Sequence, residues 1–241
     1  MNQTQAVKSM KALPLLILAL CPISAIAQKT VVLNVNADAD ISLAGYPPSG
    51  LVKGPNNPGE KGGSGSLPSA IELPTDAVSL TFAITGGSLL SLSTGTCSAP
   101  CITVNFNSGN FLNDADGIGA PALNLSPHDA ISGIVAPNGG FVAGVFEVGG
   151  EPTGTAPPTL DFESSGLGTS FTSLAPELNQ MFFIGDGLTG DGTGTVQTFL
   201  VPAGAKLLYL GIPDACGYNG LTGCHSDNSG VFVVTCIITT N

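Results

Sequence analysis

The side chains able to do chemistry in this chain are carboxylates, amides and thiols, and they gather in its turns. Residues 213–230 lie between an apolar run ending at Ile212 and another beginning at Val231, and they carry Asp214, Asp227, Asn228 and Ser229. These are hard oxygen donors, and a calcium ion takes six to eight of them. Loops of this length without structure of their own are uncommon in compact domains unless they are functional or disordered. Cys216 and Cys224 bracket Gly-Tyr-Asn-Gly-Leu-Thr-Gly within it, and a disulfide there would clamp the loop and argue against disorder. Cys97 and Cys101 bracket Ser-Ala-Pro. Pairing within each bracket is the expectation, although spacing alone does not determine connectivity. Cys236 stands in the apolar run Val231–Ile238 and reads as a buried free thiol, since cysteine packs as a small hydrophobe.

Two other acidic stretches were weighed as cation sites. On an extended strand, Asp38 and Asp40 would share a face, where their repulsion invites a cation; the plainer reading is a solvated face. Asn36-Ala-Asp38-Ala-Asp40 is not an EF-hand, because Ile41 and Pro47 stand where the hand needs glycine and glutamate. Asp186 and Asp191 punctuate a glycine-rich turn, Phe183-Ile-Gly-Asp-Gly-Leu-Thr-Gly-Asp-Gly-Thr-Gly, whose simplest role is a hairpin connection with glycines at positive φ. Catalysis finds little material. His128 and His225 are the only two histidines, no G-x-S-x-G elbow occurs, and no phosphate or dinucleotide fingerprint is present. The cysteine and histidine spacings do not form a zinc site. The chain therefore reads as a non-enzyme, with a hydrolase using paired carboxylates as the trailing alternative.

These groups must be positioned by strands. Apolar runs of four to eight residues alternate with turn signals, and helical periodicity is absent apart from a turn at Leu174–Asn179. Leu33 to Leu43 alternates apolar with polar, as does Val78 to Ile84, the pattern of half-buried strands. Further strands are expected at 101–106, 141–148, 180–185, 195–201, 206–212 and 231–239. Residues 47–68 form a Pro/Gly-rich loop. The expectation is an all-β, two-sheet antiparallel β-sandwich of jelly-roll type, in one domain spanning 28–241.

The first 27 residues read as a signal peptide. Lys8 and Lys11 precede the apolar run Ala12–Ala19, and Ala25-Ile26-Ala27 is a small-x-small cleavage site. Leu20 before Cys21 departs from the small residue that a lipobox requires. Export by a cleaved signal is thus expected, to the extracellular space or periplasm, with no later segment apolar enough to span a membrane. The chain has six lysines, no arginine and seventeen carboxylates, for a net charge of −11. Phosphate backbones are bound by Lys and Arg, so this balance argues against nucleic acid.

Tyr209-Leu-Gly-Ile-Pro-Asp214, followed by His225-Ser-Asp-Asn228-Ser-Gly230-Val-Phe-Val-Val, resembles the last two strands of PA-I galactophilic lectin-like domains. Ala44-Gly45-Tyr46-Pro47 resembles that family's early Tyr-Gly-Pro turn. The resemblance implies calcium held by the side chains of Asp214, Asp227 and Asn228 and the carbonyl of Tyr46, with the metal contacting sugar hydroxyls. Asp227 stands where the family has asparagine, and the Cys216–Cys224 insert lengthens the loop. Phe182–Gly190, Val196-Gln-Thr-Phe199 and Val201-Pro-Ala-Gly-Ala205 resemble exported bacterial proteins that often end in a PEP-CTERM sorting tail. This chain ends at Thr239-Thr240-Asn241 without such a tail, and the expectation is a released protein. The functional expectation is a calcium-dependent carbohydrate-binding module with an extracellular glycan as partner. The rival is a matrix or cell-surface structural protein with no small ligand.

Overall fold

The computed structural model describes residues 27–50, 65–88, 102–106, 109–117, 120–225 and 228–241. Among them there are strands and short 3₁₀ turns, and no α-helix. In chain order the strands are β1 (Ala27–Asn36), β2 (Ser69–Glu72), β3 (Ala77–Ser88), β4 (Ile102–Phe106), β5 (Gly109–Asn113), β6 (Leu123–Leu125), β7 (Ile134–Ala136), β8 (Ala143–Glu147), β9 (Leu160–Asp161), β10 (Ser173–Leu174), β11 (Met181–Phe183), β12 (Leu188–Gly190), β13 (Thr193–Val196), β14 (Thr198–Leu200), β15 (Leu207–Gly211), β16 (Asn219–Gly220) and β17 (Val231–Thr240).

Two sheets carry the core. One has the order β1-β17-β3-β14-β10 and the other β11-β8-β15-β2. Their pairings are antiparallel, except that the two-residue β10 runs parallel to β14. β17 shows why alternation encodes this arrangement: Phe232, Val234, Cys236 and Ile238 are buried while the residues between them are only partly so. Successive strand residues point to opposite faces, so one period-two run supplies one wall of the core. The fold class is the all-β sandwich expected.

Phenylalanines bridge the two sheets. Phe199 on β14 lies 5.2 Å from Phe82 on β3 and 5.5 Å from Phe182 on β11, and Phe182 stacks at 5.2 Å on Phe146 of β8. Removing such a ring leaves a cavity and costs about 3–5 kcal/mol. The close approach of Phe182 depends on its cross-strand partner being glycine, since a Cβ on Gly144 would fall 2.6 Å from the Phe182 ring. All five residues of β8 are buried, because the second sheet is covered on its outer face too. There Phe183 meets Phe141 at 4.8 Å and Phe162 at 5.8 Å. Phe162 follows β9, the edge of a smaller sheet of order β16-β6-β7-β9.

Two local expectations are corrected. β1 ends at Asn36, and the alternation that continues to Leu43 is a turn followed by a 3₁₀ turn at Ile41–Leu43. Asp40 caps that turn, its carboxylate accepting from Ser42 N at 2.9 Å, and Asp40 and Ser42 are both buried. Leu174–Asn179 makes no helical turn. Leu174 is in β10, Leu178 bridges Phe146, and Asn179 takes a positive φ of 62°. Among the described residues, no helix is long and apolar enough to cross a membrane.

Candidate metal centre

The hairpin β12–β13 supplies most of the site. Its tip is Asp191-Gly192, with Gly192 at a φ of 61°, the residue type that hairpin turns favour. The Asp186 carboxylate organises the approach, accepting from Leu188 N at 2.8 Å through one oxygen and from Gly192 N at 2.7 Å through the other. The connection between β5 and β6 contributes the third member. There Asp116 N donates to the Asp114 carboxylate at 3.0 Å, and the Asp116 carboxylate accepts from Asp186 N at 3.1 Å. One carboxylate oxygen each from Asp116, Asp186 and Asp191 lies within 4.8 Å of the others. Gly185 permits this approach: it has a φ of 59°, and a Cβ there would collide with Asp116 Oδ1.

Burial pushes the Asp116 carboxyl up to about 7, and repulsion from Asp186, Asp114 and Asp191 adds to it; the Asp186 N–H opposes the rise. Like charges gathered in a partly desolvated place favour the neutral form, and a bound cation reverses that preference. The three groups differ in exposure. Asp116 and Asp186 are half-buried and Asp191 is exposed, so a cation here would face solvent on one side. The triad borders two cavities. A narrow one of about 80 Å³ is lined by Asn138, Thr169 and Thr189 besides Asp116 and Asp191. A wider one of about 300 Å³ runs from Asp114, Asp116, Asp186 and Asp191 to Ile84 and Val196.

No protein-family model matches the chain, and neither a curated protein nor a solved structure does. The reading of the site therefore rests on its own geometry.

The loop at 213–230 is built differently. The Cys216–Cys224 disulfide is formed, with Cα atoms 5.2 Å apart, and Cys236 is free and buried. Cys97 and Cys101 lie outside the described residues, as does Asp227. Asp214 and Asn228 come together, Asn228 Nδ2 donating to Asp214 Oδ2 at 2.8 Å, and both are buried. The phenol of Tyr46 donates to Asp129 at 3.2 Å and packs against His128, with ring centres 5.4 Å apart.

Asp40 also reaches this end of the sandwich. It accepts from Thr222 Oγ1 at 2.8 Å and stands 3.7 Å from His225 Nε2, which donates to the Ile212 carbonyl at 3.0 Å. Burial pushes the fully buried His225 down, but the carboxylates of Asp40 and Asp214, the Ile212 carbonyl and Asp38 outweigh it and hold the imidazole above its ordinary value. The Asp38 carboxylate accepts from Ser66 Oγ at 2.8 Å. Asp38 lies in the turn after β1 and Asp40 caps the 3₁₀ turn, so the two acids do not form a solvated strand face.

Sequence reading singled out Asp186 and Asp191 but missed Asp116. The available signal was Asn113-Asp-Ala-Asp-Gly117, a second acidic turn ending in glycine. Nothing in the spacing links it to a hairpin 70 residues away.

Proposed function

We propose that this protein is an exported calcium-binding module that recognises a glycan through the bound cation, with the cation held by Asp116, Asp186 and Asp191. The observation that carries the reading is the convergence of these three carboxylates on a cleft, with Asp191 exposed. Three carboxylate oxygens are half of a calcium shell. Asn138 and Thr189, which line the same cleft, add oxygen donors, and water completes the shell. Water on the exposed side is replaceable by vicinal hydroxyls, which is how a cation reads a sugar. Asp214 and Asn228 are less suited to that exchange, since both are buried and hydrogen-bonded to each other. The ligand class comes from the resemblance of residues 209–214 and 225–234 to galactophilic lectins, and not from the triad itself.

Calorimetry and thermal melting of chelated protein with added Ca²⁺ test the cation. A thousandfold excess over the dissociation constant stabilises by about 4 kcal/mol. Wild type should bind, and Asp116→Asn and Asp191→Asn should lose the response while Asp214→Asn keeps it. No response in wild type ends the calcium reading, and loss confined to Asp214→Asn moves the ion to the 213–230 loop. A glycan array with and without chelator tests the sugar. Calcium binding with no glycan signal would replace the lectin reading with a structural one.

A further inference from the structure

We propose that the ligand is a neutral oligosaccharide chain laid along a groove, rather than a single terminal sugar; this rests on the glycan-binding reading above. Three cavities abut. The narrow cleft shares Asp116, Leu188 and Asp191 with the 300 Å³ cavity. It also shares Thr169 with a third cavity of about 470 Å³, lined by Phe162, Glu163, Ser164 and Ser170 among others. Asp116 and Asp191 of the triad line both the narrow and the 300 Å³ cavities, and Asp186 lines the latter.

The lining fits a polyhydroxylated chain. Asn138, Ser164, Thr169, Ser170 and Thr189 offer uncharged donors and acceptors along it. Leu188 and the half-exposed Val196 supply apolar contact for the C–H faces of sugar rings. Beyond the triad the charged groups on the walls are the carboxylates of Asp114 and Glu163, which repel a uronate or sulfated chain there and leave a neutral one unaffected.

The far wall is held in place before any ligand arrives. Gln197 is fully buried, and its amide nitrogen donates to the carbonyls of Thr169 and Phe171, both at 2.8 Å. Asp161 fixes the start of the same segment, accepting from Glu163 N at 2.8 Å through its side chain and from Leu167 N at 2.7 Å through its carbonyl. A pre-formed groove spares the ligand the entropy of ordering loops, and each added sugar unit then contributes contacts at little further cost.

The test is a titration of neutral gluco- and manno-oligosaccharides, from monosaccharide to hexasaccharide, with calcium and with chelator. It uses wild type and Ser170→Trp, a variant that fills the third cavity away from the triad. Affinity should rise at least tenfold from monosaccharide to tetrasaccharide in wild type. Ser170→Trp should lose that gain while keeping its calcium-induced rise in melting temperature, which also shows that it folds. Length-independent affinity, or a length gain unaffected by Ser170→Trp, overturns the groove and leaves the calcium site standing. A length gain that persists in chelator keeps the groove and overturns recognition through the cation.

Discussion

Glu147 should set a stability gradient with pH, and Glu147→Gln should remove it. The residue is 1 % exposed at the end of β8. Burial raises its carboxyl from the ordinary 4.5 to about 7, and a hydrogen bond from Val148 N opposes the rise. Asn179 presents its amide to both carboxyl oxygens. With its nitrogen inward it lies 3.1 and 3.3 Å from them and serves the ionised form; with its oxygen inward it accepts from the protonated one. The folded protein thus holds a proton that the unfolded chain releases near 4.5. Stability from this group is complete below that pH, falls as pH rises, and is lost above about 7. The gap between 4.5 and about 7 corresponds to about 3 kcal/mol, or roughly 6–12 °C in melting temperature for a chain of this size. Asp116 titrates over the same window, so wild type alone does not isolate Glu147. The quantity to measure is the stability of Glu147→Gln minus that of wild type, by urea denaturation from pH 4.5 to 8. It should climb by up to about 3 kcal/mol across the window. A difference that stays flat with pH shows that the carboxyl is not held up, and the reasoning fails.

Replacing Cys216 and Cys224 together with serine should lower stability by about 2.5 kcal/mol, the loop entropy of a short closed ring, read from the shift in denaturation midpoint against the oxidised protein. The Cys236 thiol, pushed up to about 12 by burial, should resist alkylation in the native protein and react only on unfolding; rapid native labelling would contradict its placement. Gly185→Ala, whose Cβ would strike Asp116 Oδ1, should weaken calcium binding by an order of magnitude or more in calorimetry, whereas Gly154→Ala, with open space around it, should not. Asp116→Asn should make the calcium-free protein more stable at pH 8, since it removes the carboxylate that its acidic neighbours repel.

The long strands were legible because burial on one face leaves a period-two trace. β17 alternates along its whole length and β3 over Val78–Ile84, and each lies within a few residues of where the sequence places it. The same trace misleads at Ala37–Leu43. Its polar members look like a solvated face, yet Asp40 is buried by partners from distant segments, Thr222 and His225, which a local pattern does not contain. Leu174–Asn179 fails for a related reason: its residues permit a helical turn, but Leu178 is taken up by a bridge to Phe146. The local disulfide was legible because only a loop separates its cysteines. The acidic triad was two-thirds legible, since Asp186 and Asp191 share a turn and Asp116 arrives through the fold.

The two acidic clusters use similar residues and differ in what compensates them. At the 213–230 loop, the carboxylates of Asp40, Asp214 and Asp38 act on His225 and, against the effect of burial, hold its imidazole above its ordinary value. Thr222, Ser42, Asn228 and Ser66 donate to those carboxylates. A buried charge is tolerable when it is paired and hydrogen-bonded, and this knot ties the clamped loop to the start of the sandwich. At the hairpin the hydrogen bonds come from backbone N–H groups, and the charges acting on Asp116 are those of other carboxylates. Such a cluster has two ways to relieve its repulsion: take up a proton, as the raised Asp116 carboxyl does, or take up a cation. A proton relieves one carboxylate. A divalent ion would relieve all three at once, with the exposed Asp191 side left to solvent, and that is the physical reason the proposed cation site is put at the hairpin.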